Sequence, residues 1–167
     1  MRINKRLVAI ILLLVFSVVP KLTRATGASL YLAPLRGSFL VGSTFSVSIF
    51  LDTKGNEINA VQVDLKFPPD QLQVVSPLSG KSFISVWAQS PTYSNTAGTI
   101  SLTGGVPSPG INTSAGLVST VTFRVKALGK AIVSISESSL VLLDDGKGTN
   151  ILKSFDRGEY NLVLVPP

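Results

Sequence analysis

The sequence predicts an all-β fold, an antiparallel sandwich, on three observations. Ala60 to Phe67 alternates strictly, with Val61, Val63, Leu65 and Phe67 set against Ala60, Gln62, Asp64 and Lys66. A period of two sends one set to each face of a sheet. Leu117 to Val125 repeats the pattern, with Leu117, Ser119, Val121, Phe123 and Val125 on one face and Thr120, Thr122 and Arg124 on the other. Beyond residue 28 no helical period persists for three turns. Short apolar stretches recur instead at near-regular spacing between Gly- and Pro-bearing turns, the pattern of two packed sheets.

The chain opens differently. Arg2, Lys5 and Arg6 precede an apolar run, Leu7 to Val19, broken only by Ser17. A bilayer-crossing helix needs roughly 20 apolar residues, so this run is short for a permanent anchor. With Pro20 and the small residues Ala25, Gly27 and Ala28 it reads as a secretory signal peptide over residues 1–27, cleaved between Thr26 and Ser29. An uncleaved N-terminal anchor is the alternative, because Lys21 and Arg24 stand near the cleavage site. Five of the 15 Lys and Arg residues lie in this segment and none of the 9 acidic residues does. The domain over residues 28–167 is therefore almost neutral, and the pI of 9.8 carries no indication of nucleic acid. It contains no cysteine, so its core holds without disulfides. Roughly 140 residues suffice for one such core.

Ser29 to Pro34 reads as a first short strand, and Gly37 to Thr44 turns into a strand carrying Phe45, Val47, Ile49 and Leu51 inward. Thr53 to Glu57 is a polar connection to the Ala60 strand. Pro68-Pro69 removes two backbone donors and ends that strand, and Leu72, Val74 and Val75 restart a short one. Phe83 to Trp87 and Thr99 to Thr103 follow, separated by polar Gln89 to Gly98. Gly104 to Ala115, dense in Gly and Pro, is expected to be a long surface loop. Ala131 to Ile135 and Leu140 to Leu143 precede the loop Asp144 to Asn150. Glu159 to Val165 closes the chain with Tyr160, Leu162 and Leu164 on one side.

Three stretches together resemble the opening of a cohesin domain: Phe45 to Asp52, Ile58 to Phe67, and Pro69 to Val74. They give strand, short link, strand ending in an aromatic, Pro/Asp turn and Leu-centred strand. Gly116 to Val125 is similar to a later strand of that family, and Glu159 to Val165 to its closing strand. The resemblance spans nearly all of residues 28–167. It implies a jelly-roll sandwich of about nine strands, and a dockerin-like protein partner in polysaccharide-related extracellular assembly. It also implies a binding face on the outer side of the central strand, Gln62, Asp64 and Lys66. Where many dockerin-binding cohesins alternate Asn and Asp on that strand, the corresponding places here are Ala60 and Gln62. Either the partner differs from an ordinary dockerin or the module binds something else, such as glycan.

Other candidates are few. Trp87 and Tyr93 flank a polar stretch and would serve as aromatic contacts for a sugar ring or a partner side chain. The blander and preferred reading has Trp87 ending a strand and filling the mouth of the sandwich. Asp144, Asp145 and Asn150 group oxygen ligands around Gly146 and Gly148 and make a weak candidate for calcium. The glycines stand where an EF-hand needs ligands, so an Asp-Gly hairpin turn is preferred. No cofactor is expected. With no His and no Cys the usual general base and thiol nucleophile are missing. The carboxylates Asp52, Glu57, Asp64 and Asp70 show no cleft pattern that would separate two pKa values. A non-catalytic recognition module is expected. Its partner is a protein or, in the alternative, a polysaccharide held by exposed aromatics.

Overall fold

The computed structural model describes residues 27–79 and 81–164, and the leader reading of residues 1–26 lies outside them. Twelve strands form: β1 (Ala28–Ala33), β2 (Arg36–Leu40), β3 (Thr44–Asp52), β4 (Ile58–Lys66), β5 (Leu72–Ser79), β6 (Val86–Ser94), β7 (Thr99–Gly105), β8 (Gly116–Val125), β9 (Gly129–Ile135), β10 (Leu140–Leu143), β11 (Leu152–Phe155) and β12 (Arg157–Val163). No helix occurs among the described residues. One sheet runs β11-β1-β3-β8-β5 and the other β2-β12-β9-β4-β7-β6, with β10 on β4. Neighbours are antiparallel except β1 with β11 and β2 with β12. The all-β sandwich expected from alternation is present, with more strands than the nine implied.

Inward residues of both sheets form one core. Val63, Leu65, Phe67, Val121 and Phe123 are all at most 5% exposed. Aromatic rings close one end: Phe39 stacks on Phe45 at 4.0 Å between centroids, Phe45 lies 5.1 Å from Tyr160, and Phe123 meets Phe67 edge-on at 5.4 Å. Ring pairs of this kind contribute about 0.5–1.5 kcal/mol beyond their buried area. Three buried polar side chains sit inside this shell: Thr53, Ser119 and Ser139. Thr53 Oγ1 accepts the Thr113 amide and Ser119 donates to the Pro77 carbonyl oxygen at 2.9 Å. Ser139 Oγ accepts the Asp64 amide at 3.1 Å. Buried hydroxyls held this way avoid the penalty of an unmade hydrogen bond.

Four local expectations are corrected. The alternation of β8 is not strict: Ile49 stands opposite Ser119 and Phe50 opposite Leu117, so an extra residue enters β8 between them. This bulge buries both Val118 and Ser119 and turns Leu117 toward the outside. Polar Gln89 to Ser94 is strand rather than separator: β6 is an edge strand, and most of its residues are exposed, so polar side chains are tolerated along it. Gly104 and Gly105 belong to β7 and are buried. A side chain at Gly105 would strike the Asn59 carbonyl oxygen, so glycine here permits close strand approach rather than a turn. Finally, β12 ends at Val163 and Leu164 is 63% exposed. Strands β2 and β11 are both short and lie at sheet edges, and β11 has no clear alternation of its own.

Candidate functional site

Strand β4 lies inside the larger sheet, with β7 along one side and β10 and β9 along the other. Its outer residues Ala60, Gln62, Asp64 and Lys66 alternate with buried Val61, Val63 and Leu65, so they project from a rigid base. Residues opposite one another share a face, and the register therefore fixes four rows. The first is apolar: Leu142, Ala60, Gly105 and Val86. The second is Leu140, Gln62, Thr103 and Gln89. The third is Asp64, Ser101 and Thr92, and the fourth Ser134, Lys66, Thr99 and Ser94. The face thus grades from apolar through amide and carboxylate to cation.

The centre of the face is ordered by hydrogen bonds. Ser101 Oγ donates to Asp64 Oδ1 at 2.6 Å, while Gln62 Nε2 and Ser138 Oγ donate to Oδ2 at 3.0 and 2.8 Å. Partial burial acts to raise the Asp64 pKa, but the three donors from Ser101, Gln62 and Ser138 together outweigh it. The carboxyl titrates below the ordinary aspartate value. No cation pairs with it among the described residues. The result is a standing negative charge held by neutral groups. Gln62 is fixed through its amide nitrogen, and its oxygen remains an acceptor. An amide and a carboxylate in alternation are therefore present, at Gln62 and Asp64.

Beside this cluster a hollow of about 320 Å³ opens over Ala60, Val86, Ala88, Thr103, Val106 and Pro107. Gly104 and Gly105 form its floor, and Val86 is 58% exposed. The β4 bulge at Asn59, where Leu142 pairs Ala60 but Leu143 pairs Ile58, turns Asn59 to donate to Asp144 Oδ1 at 3.0 Å. Sequence inspection missed this hollow, because Gly104-Gly105 reads as a turn signal opening a loop and nothing local marks Val86 as outward. The pairing partner of each was the missing information.

The remaining candidates lie elsewhere. Trp87 stands opposite Gly104 and packs on the core near the start of β6, while Tyr93 stands opposite buried Ile100 and is 46% exposed. Both are on the inner side of the edge strand, away from Gln62 and Asp64. Asp144 accepts from Asn59 and Ser108, Asp145 from the Lys147 amide and the Thr149 hydroxyl, and Asn150 Oδ1 from the Val141 and Leu152 amides. Each of these side chains is thus already engaged by donors of the protein itself.

Comparison with known proteins places the chain. A model of the cohesin domain family matches residues 38–162. No curated protein matches. Among solved structures, the seventh ScaB type I cohesin of Pseudobacteroides cellulosolvens is similar at 21% identity over 84% of this chain and 95% of that one, with a TM-score of 0.65. The sixth cohesin of Acetivibrio cellulolyticus scaffoldin B, solved in complex with a mutant Cel5 dockerin, is similar at 19% identity over 83% of this chain and 100% of that one, TM-score 0.65. A type I cohesin–dockerin complex from Clostridium thermocellum gives 12% identity over 83% and 94%, TM-score 0.68. At these identities the structural likeness is one of fold. The family match, covering most of the length, goes further: this chain belongs to the cohesin domain family.

Proposed function

We propose that the chain is an exported, non-catalytic recognition module whose outer β10-β4-β7-β6 face docks a dockerin-like protein partner in polysaccharide-related extracellular assembly. The observation that carries this is the ordered Gln62–Asp64–Ser101–Ser138 cluster set beside an apolar hollow on a rigid sheet. An apolar centre next to fixed polar groups is how protein interfaces are built. Complexes with dockerins among the similar cohesins support the same reading. The polysaccharide alternative relied on Trp87 and Tyr93, which lie on the inner side of β6.

Binding is tested with a panel of purified dockerin modules against the wild type and Gln62→Arg. The substitution places a long cation in the middle of the face without touching the core. Loss of binding at unchanged thermal stability is the expected result. Binding that survives Gln62→Arg but disappears on removing Trp87 and Tyr93 would move the site to the edge strand. Export rests on the basic start and apolar run of residues 1–19. Ala28 is fully buried and its amide donates to the Ile151 carbonyl oxygen at 2.8 Å. Cleavage is accordingly expected at or before the Gly27–Ala28 bond, which N-terminal sequencing of the secreted product checks. A product retaining Met1 to Val19 and partitioning with membranes would make the segment an anchor.

A further inference from the structure

The same outer face continues beyond β9 onto β12 and β2, where its chemistry changes. Arg36 of β2 stands opposite Glu159 of β12, and Glu159 opposite Ile132 of β9. In the flanking rows Ser38 faces Asn161, which faces Lys130, and Arg157 faces Ser134, which faces Lys66 of β4. Three exposed cations, Arg36, Lys130 and Arg157, therefore surround the Glu159 carboxylate, and exposed Lys66 stands beyond Ser134. Lys130 Nζ lies 2.9 Å from Glu159 Oε2, and that pair leaves Arg36, Arg157 and Lys66 in no ion pair among the described residues. A hollow of about 540 Å³ opens between Arg36, Ser38, Lys130, Glu159 and Asn161.

This concentration is local. The domain as a whole carries ten basic against nine acidic residues, so an excess of cations on one flank implies depletion elsewhere rather than a generally basic protein. Like charges gathered on a flat surface repel one another, and a ligand that brings negative charge relieves that repulsion. Guanidinium groups present paired donors that fit a carboxylate, and Ser38 and Asn161 add neutral donors at the same opening. Among the described residues no ring of β2 or β12 points outward here: Phe39 of β2 turns inward to stack on Phe45, and Tyr160 of β12 is buried. Without a ring to stack on, a sugar is poorly served, whereas a carboxylate side chain is well served.

We infer that the Arg36–Lys130 hollow, with Arg157 in the row beside it, receives an acidic segment of the same protein partner that docks on Gln62 and Asp64. The inference rests on the docking reading, since Ser134 and Lys66 join the two regions into one continuous face. Asp64, a lone anion at the centre, calls for a donor or cation on the partner, and the basic flank calls for carboxylates. Opposite demands at two ends of one sheet fix the direction in which the partner lies.

The test uses the panel of dockerin modules with wild type, Gln62→Arg, and the double variant Arg36→Gln plus Arg157→Gln, with polygalacturonate as the polysaccharide probe. Both arginines are exposed, and unchanged melting confirms an intact sandwich. For a dockerin that binds the wild type, the double variant is expected to bind about tenfold more weakly at low salt. The loss should sit mainly in the association rate and fade as salt is raised. Equal binding by the double variant, with Gln62→Arg still disruptive, overturns this inference and leaves the docking face standing. Absence of dockerin binding, with polygalacturonate retained by wild type and lost by the double variant, assigns the hollow to acidic polysaccharide and overturns the protein assignment. Failure of both probes to bind overturns both readings.

Discussion

The Tyr160 hydroxyl, carried on a fully buried ring, donates to the Pro34 carbonyl oxygen at 2.7 Å. It ties the last long strand to the link between β1 and β2, where the chain makes the first of its crossings between the described sheets. Burial pushes its pKa from 10.0 up to about 12. A phenol whose folded pKa is raised contributes stability that is complete below the unfolded value and is lost as pH climbs through the folded one. Stability should therefore fall between about pH 10 and pH 12. Tyr160→Phe should cost about 0.5–1.5 kcal/mol at neutral pH and flatten that alkaline decline. Urea melts at a series of pH values check both.

Phe123→Ala should cost about 3–5 kcal/mol, because the ring is fully buried between Phe45 and Phe67. Equilibrium denaturation measures it. A loss below about 1 kcal/mol would mean that the ring is not in the core.

Much of this was legible in the sequence, and the reason is physical. At β3 and β4, strict alternation dictated which side chains are buried, and those faces are as expected, Val63 and Leu65 included. Alternation is a local signal, so it failed where pairing with another strand intervened. The β8 bulge depends on β3, and the burial of Gly104 and Gly105 depends on β6 and β4. The outer position of Gln62 and Asp64 was likewise readable. The hydroxyls that hold Asp64 were not, since Ser101 and Ser138 come from distant strands and turns.

Ser101→Ala should raise the Asp64 pKa toward the ordinary value by removing its shortest donor. A carboxylate with a depressed folded pKa contributes stability above its unfolded value and loses it as pH falls through the folded one. The wild type should accordingly hold Asp64 ionised further into acid than the variant does. Carboxyl-carbon NMR titration of Asp64 in both proteins provides the measurement, and coincident titrations would show that Ser101 does not hold the charge.

Gly105→Ala should destabilise by about 1–3 kcal/mol. The new methyl would overlap the Asn59 carbonyl oxygen, which already accepts the Val106 amide at 2.9 Å. Backbone rather than a flexible side chain is in the way, so β4 and β7 must separate. A melting temperature equal to wild type would show that the two strands are less closely held.

The parallel pairing of β1 with β11 and of β2 with β12 has a kinetic consequence. β2 finds its one neighbour only in β12, and β1, already paired with β3, gains its second only in β11, so neither sheet is complete until almost the whole chain is available. Contacts this distant in sequence form slowly, since a long loop must close before any of them is made. A nascent or truncated chain ending before Arg157 would hold β2 without its neighbour and expose one side of β9. Such open edges invite pairing between molecules. Aggregation of C-terminal truncations, rather than stepwise loss of stability, is the behaviour this topology dictates.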